Sequence, residues 1–183
     1  MKAAVMFAPH QDLSIEEVAI DKPMEHEVLV RVAASGVCHS DLHYIDAFYT
    51  TPLPTVLGHE VAGVVEAVGS LVRDFQPGDH VIGCLSVFCG HCENCLTGRT
   101  VLCSTRPERP ESAPPIFTWQ GKPVHQFYHL SSFAEQMLVH ENAIVKIRKD
   151  MPLDAAALIG CGVTTGVGAV LNTARVTPGS TVA

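Results

Sequence analysis

Basic residues are scarce in this chain of 183 residues. It has 12 Lys and Arg against 19 Asp and Glu, so its formal charge is -7, and no basic cluster is longer than the segment 146–149. Proteins that bind nucleic acids neutralise phosphate groups with clustered Lys and Arg. The scarcity argues against a nucleic-acid partner.

A secretory signal is also missing. Met1 leads directly into an alternating, partly charged segment, without a basic stretch followed by an apolar one. The seven cysteines are an odd number and cannot all pair, which is unlike the disulfide framework of a small secreted protein. We therefore expect a cytoplasmic protein whose thiols are reduced.

Charge is absent altogether from Ala155 to Ala174, where Gly162-x-x-x-Gly166 has the spacing of a membrane helix pair. The same span contains four Gly, three Thr and Asn172, which makes it less apolar than a typical spanning helix. We expect a buried core helix or a surface between domains, and no membrane partner.

Elsewhere apolar residues alternate with a period of two, as strands require. Strand-like runs occur at 28–32, 80–85, 133–140 and 143–147. Helical signals are limited to a turn after Ser40, a candidate N-cap, and to a stretch after Pro152 that breaks near 160–162 and resumes to about Ala174. Five prolines between Cys103 and Ser131 predict a long ordered loop, with a mobile linker as the alternative. The pattern predicts a mainly β fold with a few short helices.

Four cysteines follow a C-x2-C-x2-C-x7-C pattern, at Cys89, Cys92, Cys95 and Cys103. Two residues between ligands let a loop double back with its sulfurs facing inward, and Gly90 and Gly98 supply the positive φ angles that such a turn needs. Four thiolates leave no open coordination position. The spacing therefore predicts a structural zinc site.

Two further motifs contain residues that bind metals. Gly58-His59-Glu60 places an imidazole and a carboxylate at the start of a strand, and Cys38-His39-Ser40-Asp41 places a thiol beside a hydroxyl and a carboxylate. Two cysteines and one histidine form a zinc site with an open position. Taken singly, each residue has an ordinary alternative, since an isolated Cys is usually a small core residue.

These motifs, together with Gly160-Cys161-Gly162, occur in an order that resembles the zinc-containing medium-chain alcohol dehydrogenases. The resemblance implies a GroES-like β-barrel catalytic domain over residues 1–175, with a structural zinc loop at 84–104. It implies catalytic zinc on Cys38, His59 and Cys161 and structural zinc on Cys89, Cys92, Cys95 and Cys103. Cys84 matches no ligand.

The resemblance also assigns supporting roles. Ser40 corresponds to the hydroxyl that takes the substrate proton, and His43 to the imidazole that passes it to solvent, the alternatives being an N-cap and an exposed polar residue. Asp41 corresponds to the carboxylate that orients His59, and Glu60 to an acid near the metal. His39 corresponds to a contact with the cofactor pyrophosphate. Thr165 corresponds to a contact with the nicotinamide, with ordinary helix packing as its alternative.

No G-x-G-x-x-G fingerprint of a nicotinamide-binding domain is present, because position 165 carries Thr where the third glycine would stand. Residues 176–183 resemble the approach to that Rossmann domain. We therefore expect the catalytic part of an alcohol dehydrogenase whose longer parent binds NAD(P), with Thr181 to Ala183 as an unpaired strand. The alternatives are an isolated zinc-binding interaction module, which could form a homo-oligomer through its exposed interdomain face, and a zinc-ribbon nucleic-acid binder, which the charge disfavours.

The sequence indicates less about the substrate. Relatives that act on glutathione adducts carry a carboxylate shortly before the Gly-His-Glu motif, and residues 47–59 contain none. Phe48, Tyr49 and Leu85 correspond to pocket positions and suggest a hydrophobic primary alcohol or its aldehyde, although core packing explains them equally.

Overall fold

The computed structural model describes residues 1–181, in which eleven strands form two sheets. One sheet has the order β2-β1-β5-β9-β8-β3 and the other the order β10-β4-β6-β7-β11. The strands are β1 Lys2–Met6, β2 Ser14–Glu17, β3 Ala19–Ile20, β4 Glu27–Gly36, β5 Thr55–Val56, β6 Glu60–Val68, β7 His80–Gly83, β8 Phe117–Trp119, β9 Lys122–Gln126, β10 Gln136–His140 and β11 Ile144–Ile147. The predicted mainly β fold is confirmed.

The core lies inside this nearly closed barrel because apolar residues alternate along the strands. On β4, Val28 and Val30 are fully buried while Arg31 is exposed. β4 pairs antiparallel with β6 along almost its whole length, from Val28 opposite Val68 to Gly36 opposite Glu60. This pairing carries β4 toward Cys38 at the point where β6 begins, next to His59.

Two short α-helices and two 3-10 turns lie outside the sheets: α1 His39–Ile45, α2 Glu93–Leu96, and the turns Thr100–Leu102 and Glu141–Ala143. The prediction that Ser40 caps the first helix was wrong, because Cys38 is the N-cap. The carboxylate of Asp41, three residues later, accepts from the backbone N–H of Cys38 at 3.0 Å. This reciprocal arrangement starts α1 at His39.

The C-terminal helix runs over Leu153–Thr173. It does not break at 160–162 as predicted but widens into π-helical turns at Ile159–Val163 and Ala169–Thr173, with α-helical turns at Leu153–Ala156 and Thr164–Gly168. π-helical turns mostly occur as single turns inside α-helices, and often at functional sites.

This helix is not the expected buried core helix, because only Ala156 and Ala157 within it are buried. Apolar side chains such as Val167 and Leu171 are 51% and 60% exposed. By length and composition alone, it is the one helix in the described part of the chain that could cross a membrane. Its first turns pack against the barrel.

The segment between Cys103 and Ser131 is more ordered than predicted, because it contains the antiparallel pair β8 and β9. Arg109 ties the preceding proline-rich stretch to the barrel. Its guanidinium donates to Glu27 at 2.7 and 2.8 Å and to Asp21 at 2.9 Å. The predicted strand from Thr181 to Ala183 lies largely outside the described residues.

Candidate metal centres

The four cysteines of the C-x2-C-x2-C-x7-C motif converge, with their sulfur atoms all within 4.8 Å of one another. The Sγ atoms of Cys92 and Cys95 are 3.5 Å apart, and those of Cys89 and Cys95, and of Cys92 and Cys103, are 3.9 Å apart. Tetrahedral zinc with bonds of about 2.3 Å would separate its sulfurs by about 3.8 Å. The spacing therefore fits one tetrahedral ion.

Local backbone geometry builds this loop as the sequence predicted. Gly90 and Gly98 have φ angles of +84° and +78°, in the left-handed region that only glycine adopts without strain. The backbone N–H of Cys92 donates to the sulfur of Cys89 at 3.3 Å, so the turn is closed by hydrogen bonds to a ligand atom.

Hydrogen-bond donors make two of these thiols acidic. The N–H of Ser104, with that of Cys95, lowers the pKa of Cys92 to about 5, and the hydroxyl of Thr105 lowers the pKa of Cys89 to about 7. Burial and the neighbouring sulfurs raise the pKa of Cys95 to about 11. Four thiolates are therefore stable together only with a cation, and loading the site releases protons.

A second group contains Cys38, His59, Glu60 and Cys161, whose ligand atoms also lie within 4.8 Å of one another. The Sγ atoms of Cys38 and Cys161 are 4.0 Å apart, although 123 residues separate them along the chain. Cys38 precedes α1, His59 precedes β6, Glu60 begins β6 and Cys161 lies on the C-terminal helix. Tertiary structure brings three elements to one point: α1, β6 and the C-terminal helix.

Asp41 orients His59 within this group. Both side chains are about 1% exposed, and Asp41 Oδ1 lies 3.1 Å from His59 Nδ1. A carboxylate only accepts, so Nδ1 carries the proton and Nε2 is free to bind a metal. Burial lowers the pKa of His59, but the hydrogen bond and charge of Asp41, aided by Cys38, outweigh it and raise the pKa overall.

The two thiols of this group differ in acidity. Burial opposes ionisation of Cys38, but the N–H and hydroxyl of Ser40, together with His59, lower its pKa. Burial, the neighbouring Cys38 and Glu60 raise the pKa of Cys161 to about 12. The two pKa values move apart, as expected when two groups that ionise to like charges lie close together.

The other predicted site residues lie on the elements that carry the metal ligands, and they differ in exposure. His39 and His43 are on α1 with ring centroids 4.8 Å apart, His39 being exposed and His43 half-buried. Thr165 is exposed on the C-terminal helix, four residues after Cys161, and therefore on the same face. Cys84 belongs to neither group of ligands.

Aromatic residues beside His59 were missed by the sequence reasoning. The ring of Tyr128 stands edge-on to His59 at 5.6 Å between centroids, and its hydroxyl is 2.9 Å from that of Tyr44. Burial and Tyr44 raise the pKa of Tyr128 to about 12. No local pattern marked Tyr128, because it lies 69 residues after His59 in an irregular segment. Of the residues suggested as pocket-forming, Phe48 is 76% exposed and Leu85 packs against the barrel core.

Known proteins share the fold of this chain. Residues 24–149 match the family described as alcohol dehydrogenase GroES-like domain. A protein described as an alcohol dehydrogenase zinc-binding domain protein from Burkholderia ambifaria is 42% identical to this chain, with a TM-score of 0.89. Benzyl alcohol dehydrogenase from Acinetobacter calcoaceticus is 38% identical to this chain, with a TM-score of 0.85. Each alignment covers 98% of this chain and 50% of the other.

A protein described as an NAD-dependent alcohol dehydrogenase is 31% identical with a TM-score of 0.75, over 98% of this chain and 49% of its own. The chain thus spans about half the length of these relatives. The family match, the sequence identities and the TM-scores show both the fold and the family. The chain belongs to the zinc-containing medium-chain alcohol dehydrogenases and contains their GroES-like β-barrel domain.

Proposed function

We propose that this chain is the catalytic part of a zinc-dependent alcohol dehydrogenase, which interconverts an alcohol and its aldehyde or ketone with NAD(P). The convergence of Cys38, His59 and Cys161 beside Ser40 and His43 carries the proposal. Two thiolates and an imidazole form a catalytic ligand set with an open position, for which alcohol dehydrogenases are the known example.

The residues fit the metals that the family implies. In the proposed assignment, Cys89, Cys92, Cys95 and Cys103 hold a structural zinc ion, because their sulfur spacing matches a closed tetrahedron. Cys38, His59 and Cys161 would hold the catalytic ion, and Glu60, 5% exposed, lies beside them. Bound zinc supplies a Lewis acid that lowers the pKa of an alcohol.

Protein side chains carry the proton away from the substrate hydroxyl. Ser40 is half-buried beside Cys38, and its hydroxyl can accept one proton while donating another. His43, one turn of α1 further, carries an imidazole, which can accept a proton on one nitrogen and donate one from the other. A path from Ser40 beside Cys38 to His43, both half-buried, can therefore lead the proton away from the metal ligands.

Nicotinamide binding is proposed to require residues beyond this chain. His39 and Thr165 are exposed on two elements that adjoin the metal ligands, where they can contact the pyrophosphate and the nicotinamide. Arg at this position would offer phosphate a permanent charge and a planar set of donors, which the imidazole of His39 lacks. A relative described as NAD-dependent supports the cofactor class, and the family supports a second domain that supplies the main contacts.

The aromatic cluster near His59 favours a hydrophobic substrate. Tyr44, Tyr49, Phe127 and Tyr128 have ring centroids separated by 4.2 to 5.9 Å in successive pairs. Aromatic walls with few polar groups select flat, apolar ligands. We infer a primary alcohol with an apolar or aromatic side group, or the corresponding aldehyde.

An isolated interaction module is the second candidate, favoured by the exposed apolar side chains of the C-terminal helix. The two candidates are separated by joining this chain to the part of the Burkholderia ambifaria relative that it does not cover, and assaying NAD(P)-dependent oxidation of benzyl alcohol. We expect activity that Cys161→Ser abolishes and Cys84→Ser preserves, because Cys84 is no ligand. A hybrid that binds zinc and the nicotinamide but oxidises no alcohol would favour the interaction module.

A further inference from the structure

Small residues hold the C-terminal helix against the barrel. Ala156 and Ala157 are 0% and 1% exposed and pack against the buried Ala62 of β6. Farther along, side chains such as Val163 and Leu171 are about half exposed. Few contacts therefore fix the helix, and those that do lie in its first two turns.

Gly160 lies very close to Gly83, the last residue of β7. A Cβ atom added to Gly160 would stand 1.9 Å from the carbonyl oxygen of Gly83 and 3.1 Å from its carbonyl carbon. Both are backbone atoms, so no side-chain rotation relieves the overlap. Strand β7 is paired on both sides, with β6 and β11, so the helix has to move rather than the strand.

The next residue along the helix is Cys161, whose sulfur lies 4.0 Å from that of Cys38. A Cβ atom at position 160 would push the helix away from the barrel by about 1 Å, a displacement that is known to disable constellations of this kind. Zinc–ligand distances tolerate only about 0.2 Å. Close approach of Gly160 to Gly83 is therefore a condition for Cys161 to share one ion with Cys38 and His59.

We propose that Gly160 is a positioning residue, whose backbone contact with Gly83 holds Cys161 at the distance that the metal requires. This inference rests on the proposed function, because it takes Cys161 as a ligand of the catalytic ion. It goes beyond that function in naming the contact that sets the ligand distance.

The chain contains a matched control for this contact. Gly162 is also adjacent to Cys161 and also helical, but a Cβ atom there would meet only Glu60 Oε1 at 3.6 Å, an ordinary van der Waals distance. Gly160→Ala and Gly162→Ala gain the same helix propensity. They differ in the contact with Gly83.

The test measures metal binding by the purified 183-residue chain and its variants. The more weakly held zinc ion is removed by brief chelation, and Co2+ is titrated back while the thiolate-to-cobalt absorption and the bound-metal content are recorded. We expect Gly160→Ala to lower the affinity of the second ion by about 10- to 100-fold, as loss of a ligand-orienting contact typically does. Retention of zinc at the four-cysteine site and Gly162→Ala both serve as controls.

Ala157→Val displaces the same helix face through a contact that does not involve Gly83. We expect it to produce the same selective loss, and it replaces Gly160→Ala if that variant does not fold. Equal affinity for the second ion in the wild type and in Gly160→Ala, or in Ala157→Val where Gly160→Ala does not fold, would overturn the inference while leaving the proposed function intact. A wild-type chain that takes up a single ion would overturn the proposed function and the inference with it.

Discussion

Replacing Asp41 by Asn tests how the second metal group is held together. Asp41 is fully buried, and its two oxygens accept from three donors: the N–H of Cys38 at 3.0 Å, the N–H of Gly58 at 3.3 Å and Nδ1 of His59 at 3.1 Å. One carboxylate thus joins the start of α1 to the segment that carries His59. The substitution changes charge and hydrogen bonding with almost no change in volume.

The expected loss of stability follows from the number of N–H donors that Asn would leave without an acceptor. An Asn side chain has one accepting oxygen, so in either orientation its NH2 group faces at least one of the three N–H groups. Loss of a buried hydrogen bond to a charged group costs about 1.5–3 kcal/mol. The imidazole of His59 also loses the partner that fixes its tautomer, and such losses weaken metal binding by about 10- to 100-fold.

Asp46→Asn is the matched control, because it makes the same chemical change on an exposed residue at the end of the same helix. Surface substitutions of this kind change stability by at most about 0.5 kcal/mol. Urea unfolding at pH 7 gives the stability, and Co2+ titration gives the metal affinity. Equal results for Asp41→Asn and Asp46→Asn would refute the reasoning. A stability loss with unchanged affinity would refute the orienting role of Asp41.

Three further outcomes are expected. Brief chelation should remove one zinc ion before the other, since four thiolates exclude solvent better than three ligands. Cys161→Ser should therefore weaken only the faster-lost ion, whereas Cys95→Ser should lower the unfolding temperature, and simultaneous loss of both ions would contradict the assignment. The hydrogen bond from Lys146, at 2.7 Å, lowers the pKa of Asp79 below its ordinary 3.8, so Asp79 stabilises the fold above about pH 4 and this contribution disappears as pH falls through the lowered pKa. Asp79→Asn, unlike the exposed Asp74→Asn, should flatten stability between pH 5 and pH 3 in urea titrations. Finally, we expect the isolated chain to self-associate through the apolar face of the C-terminal helix, or to fray beyond it, and a monomer by light scattering with strong amide protection after residue 160 would contradict both.

Local chemistry made the four-cysteine loop predictable from sequence. All its ligands lie within fifteen consecutive residues, and the φ angles of Gly90 and Gly98 follow from the absence of a side chain. Four of the eleven strands, β4, β7, β10 and β11, were equally accessible, because burial on one face of a barrel strand leaves an alternating pattern. The pairing of Asp41 with His59 is not local, and it entered through the resemblance to a family.

Three sequence-based expectations were wrong, two because of contacts within short segments and one because of packing against a distant strand. Ser40 looked like a helix N-cap, but Cys38 takes that position because the Asp41 carboxylate reaches back to its N–H. The helix around Gly160 was expected to break, yet packing of Ala156 and Ala157 against the barrel keeps it continuous through a π-helical turn. The proline-rich segment looked irregular, but the pairing of β8 with β9 orders it.

The mainly β class, the four-cysteine loop and the residues able to bind a metal could be predicted from the sequence, because these depend on spacing and side-chain chemistry within short segments. The three-dimensional structure was needed to show that Cys161 comes within 4.0 Å of Cys38, that Tyr128 faces His59 and that Gly160 lies against Gly83. Each of these contacts joins segments far apart along the chain. Their distances depend on how the helix and loops pack on the barrel, and no local pattern of residues encodes that packing.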